Sequence, residues 1–275
     1  MVRTIDFKKI IRLVLNIVYW IILLFPLFYA IFMAMKSPSE LYDPESIFFP
    51  TDPTLQNSVD VFNVAPIGRY IMNSLIVSIF ITIFQLLTST LAAYAFRFLN
   101  FKGSNAIYSL ILATMMIPGE AVIISQFLMV SGWGWTDTLY VLIIPFMVSA
   151  FNIFLCRQAL DNFPYEVYEA SKMDGCSHFR FVFTIMIPLI RPTLGAMAVQ
   201  SFLLGWNMYM WPLLVTNVDE ARTVQIGLSM LNSIDSQSLV LMVAGVVICM
   251  IPSLLIFVFG QRNMIRGLMS GAVKG

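Results

Sequence analysis

The chain has 275 residues, of which 59% are hydrophobic and only 11% charged, with a net charge of +1. A soluble domain runs nearer half apolar and a quarter charged, so a water-facing surface could not be covered here and the bilayer is the expected solvent. The single histidine, His178, and the absence of a Gly-x-x-x-x-Gly-Lys-Ser/Thr loop exclude a catalytic triad, a His-Glu-x-x-His zinc site and a phosphate cradle of that kind.

In chain order, the charges fall in clusters separated by long neutral runs. No Asp, Glu, Lys or Arg lies between Arg12 and Lys36, Arg69 and Arg97, Asp137 and Arg157, Arg191 and Asp219, or Asp235 and Arg262, and each gap holds at least 19 residues. A spanning helix needs roughly 20 residues at 1.5 Å rise. A sixth run, near 105–129, is broken only by Glu120. The runs are continuous rather than alternating, which predicts helices and not a barrel. The expected map places helix one near 13–35 and an irregular, Pro-rich external loop to about 69 (Pro38, Pro44, Pro50, Pro53). Helix two follows at 70–96, and helix three is interrupted at Pro118-Gly119. Helix four is expected at 138–156, helix five at 190–211 and helix six at 238–260. This divides the chain into an N-terminal segment (1–69), a transmembrane domain (70–260) and a tail (261–275). The basic run before helix one resembles a signal peptide, but its apolar stretch is too long for an h-region, and it reads as a retained helix. The three cysteines read as reduced thiols, with neither disulfide nor metal cluster.

With the N-terminus inside, thirteen Lys and Arg fall on inner segments and three on outer ones. The excess of basic residues orients the chain with both termini cytoplasmic.

One inner loop is long. From Arg157 to Ile187 the residues read as a short helix, a sharp turn and a second helix. Pro164 suits a first turn, Glu166 and Glu169 stand early and Lys172 late, Asp174-Gly175 ends the helix, and Ser177 caps the next one. Such a helix either rests on headgroups or docks a cytoplasmic partner; its acidity favours a protein partner.

Within this loop Glu169-Ala170-Ser171, three residues, Gly175, nine residues and Ile185-Met186-Ile187-Pro188 resemble the EAA motif of permease subunits of binding-protein-dependent ABC importers. Ser171 for Ala and Ile187 for Leu are the two departures. Gly205-Trp206-Asn207-x-Tyr209-x-Trp211-Pro212-Leu213 and the ending Arg266 to Gly275 look like the carbohydrate branch, the maltose-type permeases related to the glycerol-3-phosphate permeases. The resemblance implies the type I importer permease fold: all-α, six transmembrane helices, and a cytoplasmic coupling helix between helices four and five. It implies that Glu169, Ala170, Ser171, Asp174, Gly175 and Pro188 couple the chain to an ATPase, with Gly175 as the turn. A second contact is implied through the tail residues Gln261, Gly267 and Gly271, in an extended chain. The implied partners are a second homologous permease, two cytoplasmic ATPase subunits carrying ATP and Mg, an extracytoplasmic substrate-binding protein and the lipid bilayer of a bacterial cytoplasmic (inner) membrane. No cofactor bound by this chain, no enzymatic activity of its own and no nucleic acid are expected.

Glu120 is the lone carboxylate expected within a span, and ionisable groups there usually face a cavity or partner. It is a pathway candidate, or a structural residue at the kink. Trp206, Asn207 and Tyr209 are further pathway candidates, because aromatic rings with a polar neighbour stack on sugars; the interfacial aromatic belt is the competing reading. The substrate expected from the resemblance is a sugar or oligosaccharide, with glycerol-3-phosphate as the alternative. An ion-coupled secondary transporter is more distant, since one clear helix break is visible where such folds use paired breaks.

Overall fold

A computed structural model describes the backbone of residues 7–231 and 238–270, with side chains of the last segment described as far as Gln261. Among the described residues every regular element is helical. In order these are α1 (Phe7–Ala34), α2 (Gln56–Val64), α3 (Ile67–Phe98), α4 (Ser104–Thr114), α5 (Gly119–Gly132), α6 (Leu139–Phe146), α7 (Ala150–Asp161), α8 (Tyr165–Met173), α9 (His178–Leu189), α10 (Arg191–Trp206), α11 (Met210–Val215), α12 (Val224–Leu231) and α13 (Ser238–Ser270). Three stretches, Ile11–Ala34, Ile67–Phe98 and Leu239–Gln261, are each long and apolar enough to cross a membrane. Three more candidates are bent pairs: α4–α5 at 95°, α6–α7 at 43°, and α9 against Arg191–Val215 at 86°. With each pair taken as one, the set is compatible with the six expected spans.

The bend at Pro118-Gly119 falls where the sequence predicts it. The other two do not follow from that reading, which allows a single clear break. Their cause is proline: Pro145 sits in the 3-10 turn Ile144–Phe146, and Pro192 directly follows Arg191. Each removes a backbone donor from the helix ladder.

A broken helix in hydrocarbon needs its freed carbonyls satisfied by neighbours. At the α6–α7 break, α3 supplies the donors. Gln85 Nε2 donates to the Phe146 carbonyl (2.8 Å) and Thr88 Oγ1 to that of Met147 (3.0 Å). The same glutamine turns its oxygen the other way. Gln85 Oε1 accepts from Asn152 Nδ2 on α7 (2.9 Å) and from Ser201 Oγ on α10 (2.7 Å), and all three side chains are buried. One amide thus joins three helices. Gly205 on α10 adds close backbone approach: a Cβ there would lie 2.9 Å from Ser78 Cα of α3, the small-residue contact expected between helices in lipid.

The chain folds as two compact units, Met1–Ile67 with Gly227–Ile251, and Gly68–Ile226 with Pro252–Gly275. In the first, the segment after α1 is built rather than irregular as expected. Buried Lys36 donates from Nζ to the carbonyls of Ser46 and Ile47. Asn57 Nδ2 donates to the carbonyls of Ala34 (2.8 Å) and Lys36 (2.7 Å). Glu40 accepts from the Thr51 hydroxyl (2.7 Å) and the Asp52 amide (3.0 Å), which holds its carboxyl below the usual range. The prolines there set short 3-10 turns, Pro38–Tyr42 and Pro44–Ser46, around these polar groups. In the same unit α12 packs closely on α13, where a Cβ on Gly245 would meet Leu228 at 2.7 Å.

The tail also departs from expectation. Helix six does not end near 260 in an extended chain; α13 continues to Ser270. Between Gln261 and Ser270 no proline interrupts the helix and Gly267 is the one poor helix former. Gln261 is exposed, with its amide on the Val258 carbonyl (3.2 Å). Gly271 lies outside the described residues.

The role given to Gln85 is open to measurement. An interhelical hydrogen bond in a membrane averages only about 0.6 kcal/mol, but orphaning a buried group costs about 1–3 kcal/mol. Gln85→Leu leaves the Phe146 carbonyl without its donor and takes the shared acceptor from Asn152 and Ser201, which keep only the bond between them (2.9 Å). We expect a fall of about 5 °C in the melting temperature of the detergent-solubilised protein; an unchanged melting temperature would mean that packing alone holds the break.

Candidate functional site

The long loop between α7 and α10 forms an elbow. Its first arm is α8. The arm ends as a Schellman turn: the Cys176 N–H reaches the Ser171 carbonyl (2.9 Å) and the Gly175 N–H that of Lys172 (3.1 Å), with Gly175 at φ +73°. Ser177 then caps the second arm, its hydroxyl accepting from the Arg180 amide (3.4 Å). That arm, α9, carries a π-helical segment, Val182–Met186, just ahead of Pro188. Pro188 has no N–H for the carbonyl four residues back, and a wider turn is a usual response to such a gap.

The elbow has two faces. Glu166, Glu169, Ala170, Met173, Asp174 and Gly175 are exposed, Met173 by 83%. Ser171 is buried, and its hydroxyl returns to the Tyr168 carbonyl of its own helix (2.7 Å). This explains how serine stands where the motif has alanine: the extra polar atom is satisfied without a new partner. Ile187, the other departure, packs half-buried against the core.

The buried face grips the end of α3. Phe98 stacks on Tyr168 with centroids 4.5 Å apart, and meets Phe181 and Phe163 edge-on at 5.6 and 5.7 Å. Tyr94, one turn earlier, shares a hydrogen bond of 2.5 Å with His178 Nδ1. Arg97 adds a longer contact to Asp161 (3.8 Å) and lies 5.5 Å from the Tyr165 ring. The sequence reading placed the elbow's outward residues but missed this seat. Its signal is Tyr94 and Phe98 at i, i+4 spacing beside the basic end of a span.

The pathway candidates divide. Glu120 is exposed in the first turn of α5. Asn207 and Tyr209 are exposed in the short break between α10 and α11. Trp206 is not: it is 1% exposed and stacked parallel on Phe202 at 6.0 Å. A ring so placed offers no face to a sugar in this structure, so the expected aromatic cluster reduces to Tyr209 beside Asn207. Trp211 is buried too, its Nε1 donating to the Val141 carbonyl (2.9 Å).

Residues 85–269, from the Gln85 amide through the elbow to the end of α13, match the family described as binding-protein-dependent transport system inner membrane component. The chain belongs to this family. The permease is 34% identical over 260 residues to an arabinooligosaccharides transport system permease protein, AraQ, of Bacillus subtilis, covering 92% of this chain and 91% of that one. It is 33% identical over 218 residues to a lactose transport system permease protein, LacG, of Rhizobium radiobacter, covering 79% and 80%. To a sn-glycerol-3-phosphate transport system permease protein, UgpE, of Pectobacterium atrosepticum it is 32% identical over 263 residues, covering 93% and 94%. Its fold is that of a bacterial ABC transporter involved in import of the acidic polysaccharide alginate, with a TM-score of 0.81 at 21% identity over 95% of this permease and 98% of that chain. The resemblance read from the elbow motif is therefore borne out, and the permease has the type I importer fold.

The turn itself yields a prediction. A Cβ on Gly175 would meet nothing within 4 Å, so Gly175→Ala acts through the left-handed backbone alone, at about 1–2 kcal/mol. Gly175→Asn, which tolerates that region better, should cost less. Thermal unfolding of the two variants should rank Gly above Asn above Ala; an Ala variant as stable as the parent would mean that the turn changes conformation at no cost.

Proposed function

We propose that this permease forms one membrane-spanning half of an importer that moves a sugar or oligosaccharide across a bacterial cytoplasmic membrane, driven by ATP hydrolysed with Mg in a partner subunit. The observation that carries the proposal is the two-faced elbow. Its buried face is seated on the end of α3, and its outward face presents Glu166, Glu169, Ala170 and Met173 to a partner. The thirteen-to-three distribution of basic residues supports a cytoplasmic elbow, with both termini and the tail on the same side. There the elbow docks into one of two ATPase subunits. A second, homologous permease completes the pathway, and a substrate-binding protein delivers the cargo from outside. A substrate-binding protein of that kind stands in the complex of the alginate transporter with alginate pentasaccharide-bound periplasmic protein, a structure of the same fold (TM-score 0.63, 18% identity).

ATP binding closes the ATPase pair and displaces the elbows, the spans rock, and the pathway opens outward. Hydrolysis returns it inward. ATP shifts this equilibrium because it binds the closed state better. Glu120, Asn207 and Tyr209 are the proposed pathway contacts, accepting and donating hydrogen bonds to hydroxyls, with Tyr209 offering a stacking face. Gln261 and Gly267 sit on the last turns of a helix that extends toward the ATPase side, and Gly271 follows them.

Sugars are favoured because the relatives named above are permeases of arabinooligosaccharide and lactose transport systems. Glycerol-3-phosphate is the second reading, supported by the glycerol-3-phosphate relatives. Against it, no lysine or arginine lies in the long neutral runs to meet a phosphate.

Glu169→Lys reverses charge on the docking face without touching the buried one. The variant should insert into the membrane normally yet lose co-purification with its ATPase subunit at least tenfold, with transport falling in step. Normal assembly and transport would remove the docking assignment. Titrating the matching soluble binding protein with neutral oligosaccharides and with glycerol-3-phosphate decides the cargo: tight binding of the phosphate alone would replace the sugar reading.

A further inference from the structure

Both arms of the elbow close on the last two turns of α3. Rings from both meet it: Tyr168 of the first arm is stacked on Phe98, and Phe181 of the second arm and Phe163, just ahead of the first, stand edge-on around the same ring. Stacked rings slide and tilt within the broad range of centroid separations that suit aromatic pairs. They hold the arm against the span but leave its register loosely set. The second arm adds a directional contact. Tyr94 Oη lies 2.5 Å from His178 Nδ1, and Lys172 Nζ of the first arm lies 3.2 Å from the same nitrogen. Lysine has donors only. Nδ1 is therefore the acceptor, and the Tyr94 hydroxyl donates to it. Lys172 also donates to the Cys176 carbonyl in the turn (3.3 Å). The Tyr94–His178 bond, the shorter of the two, thus ties the span to the second arm, and the Lys172 ammonium beside it ties the first arm to the turn.

We infer that Tyr94 and His178 are positioning residues for energy coupling: their hydrogen bond fixes the register of the elbow on α3, so that displacement of the elbow moves the span as one body. The inference rests on the proposed docking of the elbow to an ATPase. It adds that the elbow does not pivot on the span. The span so gripped is the one whose Gln85 and Thr88 hold the α6–α7 break. Movement of the elbow consequently reaches a hinge in the membrane through a single rigid helix.

The test measures the elbow against α3 in the assembled transporter. Spin labels are placed on Leu99→Cys, just past α3, and Thr184→Cys, on the second arm; both positions are exposed. Cys176, the one partly exposed native thiol, is replaced by serine, while Cys156 and Cys249 are buried. Distances are recorded without nucleotide and with ATP and vanadate. The protein with Tyr94 and His178 intact should give one narrow distance, the same in both states. Tyr94→Phe and His178→Ala should at least double the width of the distribution under ATP and vanadate while ATPase activity is retained. His178→Asn, whose amide oxygen still accepts from the tyrosine, should restore the narrow distribution. Unchanged width in both variants, or a shift between states in the intact protein, overturns the inference. Failure of the docking reading looks different: the ATPase subunit would not co-purify with any of these proteins, and the nucleotide-free widths would still judge the clamp.

Discussion

The contact on which the rest depends is the seating of Phe98 among Tyr168, Phe163 and Phe181. On the proposed reading the chain takes its energy from another subunit, so force has to cross the membrane boundary through a loop, and an unbraced loop carries none. Here a loop of some 30 residues is turned into a solid element by burying one face on the end of a span. Removing a buried Phe of this kind typically costs about 3–5 kcal/mol, well above the fraction of a kcal/mol of an exposed ion pair. The aromatic seat, rather than the Arg97–Asp161 contact at 3.8 Å, therefore sets the elbow's attitude. With that face fixed, Glu169 and Met173 are left pointing outward.

The same economy appears inside the membrane. Hydrocarbon leaves no water to satisfy a broken helix, yet the candidate spans α4–α5 and α6–α7 are bent. The bend between α6 and α7 is stable because α3 lends it Gln85 and Thr88. A helix that both receives the elbow and supports a bend links the two.

Much of this was legible in the sequence. Neutral runs of at least 19 residues mark the spans because charge in lipid is costly, and the Gly175 turn is visible because few residues other than glycine accept a positive φ. The elbow's outward residues follow from motif spacing. What escaped were features set by partners far away in the chain. Gln85 looks like an isolated amide until Phe146, Asn152 and Ser201 are brought to it. The loop after α1 looks irregular until Lys36 and Asn57 find its carbonyls. Trp206 looked like a ligand platform because the type of a residue does not say which way its ring faces. The extended tail was carried over from the resemblance, although its own residues favour a helix as far as Ser270.

The central claim is that the elbow stands in the cytosol with its outward face held by an ATPase. A Met173→Cys substitution, at a residue of α8 that is 83% exposed, with Cys176 replaced by serine and Cys156 and Cys249 buried, tests it with a membrane-impermeant thiol reagent. The account predicts no labelling of intact spheroplasts, ready labelling of inside-out vesicles stripped of the ATPase, and protection when the ATPase is added back. Labelling from the outside of sealed spheroplasts would contradict it.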